Sequence, residues 1–249
     1  MRKPLIAANW KMHMTVPETR GFFSEFLPLV KGVDDVDIVV APPFTSLHAA
    51  KEAVQGSNVS ISGQNLFWEE KGAYTGEISP IMLRDIGCEY VIIGHSERRQ
   101  YFGETDETVN KRIHAAINAG LKPIICVGET LEEREKGETF NVLSRQITAG
   151  LKDVRFDDLV IAYEPVWAIG TGKTATPEMA EEAHLFIRKE LSNLLGDTAE
   201  EIRILYGGSV KPENVASLMA MENVDGGLVG GASLKPESFS KIVRFREQN

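Results

Sequence analysis

Glu164 ends the apolar run Leu159-Val160-Ile161-Ala162-Tyr163 and is followed by Pro165, so its carboxylate stands at the rim of a dry interior. Desolvation there can raise its proton affinity, which suits a general base. The plainer reading is a strand-end carboxylate paired with a basic neighbour, and position alone does not separate the two. His95 follows a second apolar run, Tyr90 to Gly94, and opens Ser96-Glu97-Arg98-Arg99, a pattern that starts a helix. A ring at a helix N-terminus meets positive partial charge, which favours a neutral imidazole able to donate a hydrogen bond to a carbonyl. Asn9 and Lys11 lie two residues apart after a third run, Leu5 to Ala8. That spacing puts both side chains on one face if the chain stays extended, although a strand-end lysine is also an ordinary solvated group. Glu97 either pairs with Lys11 or caps the helix. A base, an imidazole, a cation and an amide are the groups of acid-base chemistry beside a carbonyl.

The segment Gly170-Thr171-Gly172-Lys173-Thr174 has the composition of a phosphate loop, but a P-loop needs glycine at the position that Trp167 occupies. Gly170, Gly172 and Ala175 satisfy a dinucleotide fingerprint, yet Pro165 to Ile169 separate them from the strand, where that fold requires a tight turn. A nucleotide site is therefore not expected. What remains is a loop of Pro165, Val166, Trp167, Ala168, Ile169, Gly170, Thr171, Gly172, Lys173, Thr174 and Ala175. Apolar residues exposed on such a loop make sense as a lid that folds over a ligand and excludes water. Backbone N–H groups around Gly170, Ser209, Gly230 and Gly231 are expected to form an anion cradle.

Eight short apolar runs recur: Leu5 to Ala8, Val36 to Ala41, Val59 to Ile61, Tyr90 to Ile93, Ile124 to Val127, Leu159 to Ala162, Ile202 to Leu205 and Val224 to Val229. Most are continuously apolar, as strands covered on both faces are. Amphipathic segments lie between them, most clearly Glu104 to Ala119, where Val109, Ile113, Ala116 and Ile117 share a face. Thr130 with Glu133 has capping-box spacing, and Thr176 precedes a proline suited to the first helical position. The fold class is α/β, and eight strand-helix units in 249 residues favour a closed (β/α)8 barrel of parallel strands surrounded by helices over an open sheet. No linker or composition shift marks a boundary, so residues 1–249 are expected to form one domain. Gln64 to Ser79, long for a loop, reads as a functional or interface element.

Strand ends of a parallel barrel open on one face, so Asn9 and Lys11, His95, Ser96 and Glu97, Glu164, Gly207 with Gly208, and Gly230 with Gly231 converge although far apart in sequence. The chain carries 27 Lys and Arg against 36 Asp and Glu, a net charge of −9, which disfavours nucleic acid and anionic membranes as partners. An anionic ligand must then be held by a local feature. Cys88 and Cys126 form no CxxC pair, and His13, His48, His114 and His184 have no neighbour at metal-ligand spacing. No metal site is expected, and these four histidines read as surface residues. With no long apolar stretch and no leader pattern, the expectation is a cytoplasmic protein.

Six segments carry a resemblance along the full length: Ala8-Asn-Trp-Lys-Met12, Gly72-Ala-Tyr-Thr-Gly-Glu77, Ile93-Gly-His-Ser-Glu-Arg-Arg99, Ala162 to Lys173, Tyr206-Gly-Gly-Ser-Val210 and Leu228-Val-Gly-Gly-Ala232. With them the chain resembles the triosephosphate isomerase family. The resemblance implies a TIM barrel that interconverts dihydroxyacetone phosphate and glyceraldehyde 3-phosphate without a cofactor, in glycolysis and gluconeogenesis. It implies that Glu164 moves a carbon-bound proton, that His95 polarises the carbonyl, that Lys11 and Asn9 stabilise an enediolate, and that Glu97 supports them. Ile169 and Leu228 would crowd the base and raise its basicity. A homodimer is implied too, with Thr75 reaching the neighbour's Asn9 and Lys11. Gly227 departs from many relatives and is expected to loosen the last strand. The alternatives are another phosphosugar isomerase or lyase on the same barrel, or a non-catalytic phosphate-binding scaffold.

Overall fold

The computed structural model describes residues 2–154, 158–169 and 175–247. Eight parallel strands close in sequence order: β1 (Leu5–Asn9), β2 (Asp37–Ala41), β3 (Val59–Gly63), β4 (Tyr90–Ile93), β5 (Lys122–Val127), β6 (Val160–Tyr163), β7 (Arg203–Tyr206) and β8 (Gly226–Val229). Closure is made by β8 against β1, with Leu5 opposite Gly226 and Ala8 opposite Val229. Gly227 holds register with both Ile6 and Tyr206, so the last strand keeps its pairing.

The continuous apolar runs have a direct cause. Leu5, Ala7, Val39, Ile92, Ile124, Val160, Ala162 and Leu205 fill the barrel interior, while their neighbours Ile6, Ile38, Val40, Val91, Ile125, Ile161 and Ile204 pack under helices. Both faces of each strand are buried, so alternation never shows.

The helices are α1 (Val16–Val30), α2 (Leu47–Val54), α3 (Pro80–Ile86), α4 (Ser96–Phe102), α5 (Asp106–Asn118), α6 (Leu131–Glu135), α7 (Thr139–Gly150), α8 (Pro177–Leu195), α9 (Val215–Met219) and α10 (Pro236–Val243). Helix α5 buries Val109, Ile113 and Ala116 and starts at Thr105, whose hydroxyl caps it. The Thr130 capping box and the Thr176 cap with Pro177 at the first position are both present. None of the described helices is long and apolar enough to cross a membrane.

Opposite the strand exits, Asp225 ties the chain ends together. It accepts from Arg2 Nε at 2.6 Å, Arg188 Nη2 at 2.8 Å and the Ile204 N–H at 2.9 Å. Breaking such a buried pair costs several kcal/mol, on the order of 3–5.

His184 corrects a sequence expectation. It lies on α8 with no exposed surface, donates from Nδ1 to the Asn223 carbonyl at 3.0 Å, and meets the Tyr163 ring edge-on. It shares the buried face of α8 with Ala180, Ile187 and Leu191. Burial drives its pKa down from 6.5 to about 4. A histidine depressed this way binds its proton more tightly in the unfolded chain, so its stabilisation is whole above the unfolded pKa and is lost as pH falls toward the folded one. The full span is on the order of 3 kcal/mol, with about 2 kcal/mol gone by pH 5. Denaturant unfolding at pH 7 and pH 5 is expected to show this loss in the wild type and a flatter profile in His184→Gln. Equal slopes in the two proteins would remove the assignment.

Candidate active site

Asn9, Lys11, His95, Glu164, Ile169, Ser209, Leu228, Gly230 and Gly231 line one cavity of about 270 Å³ at the strand exits. Glu164 follows β6 directly and is 2% exposed. Its Oε1 lies 3.0 Å from His95 Nε2, its Oε2 accepts the Ser96 N–H at 2.9 Å, and the Ser96 hydroxyl donates to Oε1 at 3.2 Å. Burial pushes its pKa up, but the imidazole, the Ser96 N–H and the Cys126 thiol outweigh burial and leave it below the usual carboxylate value. The expectation that apolar surroundings raise its basicity is therefore not met in this arrangement. Ile169 and Leu228 do line the cavity, yet the carboxylate itself is turned onto donors. To act as a strong base it must leave Ser96. Space beside its stem is kept by Gly207, where a Cβ would stand 2.9 Å from Glu164 Cγ.

His95 is the N-cap of α4, and its Nδ1 accepts the Glu97 N–H at 3.2 Å. A nitrogen accepting that bond carries no proton, so the neutral ring presents Nε2–H to the cavity. Burial lowers the proton affinity of the ring, the Glu164 carboxylate raises it, and the net direction is upward while the two side chains touch. Gaining a second proton would cost the Glu97 contact. Nearby, Lys11 Nζ pairs with Glu97 Oε1 at 2.6 Å, which settles the pairing left open by the sequence.

Asn9 and Lys11 do share the cavity, though not through an extended chain. Lys11 has φ +52°, its N–H is taken by Asn9 Oδ1 at 3.0 Å, and its carbonyl accepts Gln64 Nε2 at 2.9 Å. A left-handed lysine costs on the order of 1–3 kcal/mol, so the Asn9 and Gln64 bonds hold a conformation that the backbone resists.

In the loop after Glu164, Val166–Ala168 form a 3-10 turn in which Trp167 and Ala168 are buried, contrary to the expected exposure. Trp167 Nε1 donates to Glu129 Oε1 at 2.9 Å and the Arg134 guanidinium lies 4.4 Å over the indole. Ile169 alone of this described stretch lines the cavity, and Ala175 is buried. Gly170, Thr171, Gly172, Lys173 and Thr174 fall outside the described residues. Thr75 is exposed, on a loop where Phe67 stacks between Trp68 and Tyr74 at 4.1 and 4.6 Å.

Ser96 was expected among the strand-exit residues but without a role toward Glu164, and Glu129 was not expected at all. The strand-exit rule would have found Glu129, since it follows β5 by two residues. Lys211, exposed on the cavity rim two residues after Ser209, was open to the same rule.

A family model described as triosephosphate isomerase matches residues 4–246. The chain belongs to the triosephosphate isomerase family. The triosephosphate isomerase of Geotalea uraniireducens is 59% identical over 99% of this chain and its own full length. That of Moorella thermoacetica is 60% identical over 98% of this chain and 99% of its own. The crystal structure of triosephosphate isomerase from Bartonella henselae aligns with a TM-score of 0.91 at 40% identity, covering 98% of this chain and 99% of that one. As a member of this family of isomerases, the protein interconverts dihydroxyacetone phosphate and glyceraldehyde 3-phosphate on a TIM barrel.

Ser96→Ala removes one donor from Glu164, so the carboxylate pKa of the free enzyme rises toward its ordinary value. A Glu164 that serves as general base must be ionised, so the acid limb of kcat/KM against pH is then expected to move to higher pH, and an unmoved limb would mean the Ser96 hydroxyl does not govern it.

Proposed function

We propose that Glu164, His95, Lys11, Asn9 and Glu97 divide the work of triose phosphate isomerisation among themselves. The observation that carries the reading is a buried carboxylate 3.0 Å from an imidazole whose free proton sits on Nε2, at a cavity that also holds a lysine. Substrate entering between the two side chains breaks their contact. Glu164, freed from Ser96, takes a proton from the carbon beside the carbonyl, and the electron pair moves onto the carbonyl oxygen. His95 Nε2–H neutralises that oxygen and passes the proton between the two oxygens of the enediolate. Glu164 then returns its proton to the neighbouring carbon. Lys11, braced by Glu97, offsets the negative charge, and Asn9 donates to an oxygen.

The wall of Ser209, Gly230 and Gly231 takes the phosphoryl group, and Gly170, outside the described residues, is proposed to contact it too. Pro165 to Ala175 is the lid, of which Ile169 faces the cavity and excludes water from the intermediate. Residues 1–249 act as one barrel domain, in the cytoplasm, within glycolysis and gluconeogenesis.

The working unit is a homodimer. Met12 at 94%, Tyr101 at 68% and Phe102 at 67% exposure are large side chains left in water beside a cavity of about 250 Å³ that reaches Lys11 and His95. In its wall Asn65 Oδ1 is buried without a partner, which a hydroxyl such as that of Thr75 from a second copy would satisfy.

Glu164→Gln is expected to fold, to lower turnover about a thousandfold, and to stop deuterium uptake from solvent into the sugar, whereas a variant that keeps most of its exchange would refute the base assignment. For the dimer, Thr75→Glu should sediment as a monomer and lose at least about tenfold in kcat/KM. A monomer of full activity would show that the partner does not support the site.

A further inference from the structure

The turn that carries Ser209 has an internal problem of rigidity. Gly207 and Gly208 precede it, and Gly208 must be glycine because a Cβ there would stand 2.3 Å from the Tyr206 hydroxyl. Two consecutive glycines bring no side chain to define the peptide units that present N–H groups to the cavity. The upstream end is anchored where the Gly207 N–H donates to the Tyr163 carbonyl at 2.6 Å. The downstream end is anchored by Asn214.

Asn214 sits at the N-cap of α9 but makes no side-chain cap bond to that helix. Ser79, Thr105, Thr130 and Thr176, at the same position of other helices, all accept an N–H from their own first turn. Both polar atoms of the Asn214 amide turn backward instead. Oδ1 accepts the Lys211 N–H at 2.8 Å and Nδ2 donates to the Ser209 carbonyl at 2.9 Å. One side chain therefore grips the tripeptide Ser209-Val210-Lys211 at both ends. Asn214 forgoes its usual capping bond and does not line the cavity.

We infer that Asn214 is a positioning residue for phosphoryl recognition, which it serves by bracing the Ser209 turn from behind. The inference rests on the reading that the Ser209 wall binds the phosphoryl group. With both bonds lost, the glycine pair samples conformations in which the Ser209 N–H no longer faces its ligand, and the phosphoryl group must order the turn on binding. The effect belongs in binding of the phosphorylated species and not in the proton transfers at Glu164.

The test compares wild type, Asn214→Ala and Asn214→Asp, each checked for folding by thermal melting. Inorganic phosphate serves as a competitive inhibitor, and unphosphorylated glyceraldehyde as a substrate for deuterium exchange. In Asn214→Ala the KM for glyceraldehyde 3-phosphate and the inhibition constant for phosphate are expected to rise together by about tenfold, with kcat within about twofold. Exchange on glyceraldehyde should be unchanged. Asn214→Asp keeps the acceptor for the Lys211 N–H and loses the donor to Ser209, so it should fall between the two and stands in if the alanine variant does not fold. Unmoved phosphate inhibition, or a fall on glyceraldehyde parallel to that on the phosphorylated substrate, would overturn the assignment. A wild type that phosphate does not inhibit competitively would overturn it by removing the phosphoryl wall itself.

Discussion

A carboxylate stripped of water has to be given hydrogen-bond donors, and every donor it receives makes it a weaker base. Glu164 embodies this constraint. Its 2% exposure would by itself raise its proton affinity, but the Ser96 N–H, the Ser96 hydroxyl and His95 Nε2 hold it ionised and quiet. The resting site is thus stable because its reactive group is satisfied. Under the proposed roles, substrate displaces His95 from Glu164 and the carboxylate gives up Ser96, so basicity arises only when there is a proton to take. A site built with the carboxylate permanently clamped among apolar side chains would be more basic, but it would carry an uncompensated buried charge in the empty state.

The barrel makes this exchange possible by holding everything else still. His95 can act as a neutral donor only while the Glu97 N–H occupies Nδ1, and that N–H is aimed by the first turn of α4. Lys11 reaches the same cavity in a left-handed conformation secured by Asn9 and Gln64, residues from two different strand exits. The opposite face of the barrel is closed by Asp225 with Arg2, Arg188 and the Ile204 N–H, far from any reacting atom. The strain at Lys11 is offset by the bonds to Asn9 and Gln64.

Strands were legible in the sequence because burial on both faces leaves an unbroken apolar run, which is why Tyr90–Ile93 was bounded correctly and the others to within about two residues. Helix starts at Thr130 and Thr176 were legible because capping is local. The strand-exit rule then collected Asn9, Lys11, His95, Glu164, Gly207, Gly208, Gly230 and Gly231 into what proved to be one cavity. What stayed hidden depended on partners distant in sequence. His184 was taken for a surface residue since nothing near it reveals Tyr163 or Asn223 beside it. Trp167 was assigned to an exposed flap because Glu129 and Arg134 lie more than thirty residues earlier. The direction of the Glu164 shift was misjudged for the same reason: apolar neighbours could be read from the segment, whereas the Ser96 donors arrive from another strand.

Those same long-range contacts decide which part of the loop beside the base can move. Glu129 accepts from Tyr163, the residue before Glu164, and from Trp167, three residues after it, while its carbonyl takes the Val166 N–H at 3.1 Å. The Glu164 N–H is held by the Val127 carbonyl at 2.7 Å, and Pro165 restricts its own φ. The segment from Tyr163 to Trp167 is therefore held to the end of β5 and to Glu129 by two backbone and two side-chain bonds. Glu164 changes partners by rotating its side chain, beside which Gly207 leaves space, and the tie continues past Trp167, where the Ala168 N–H donates to the Pro165 carbonyl at 2.7 Å and the Ile169 N–H to the Val166 carbonyl at 3.2 Å. A base carried on a moving loop would lose its alignment each time the site opened. With the main chain held at Glu129, an apolar cover of the kind proposed closes over the proposed base without shifting the carboxylate's pivot.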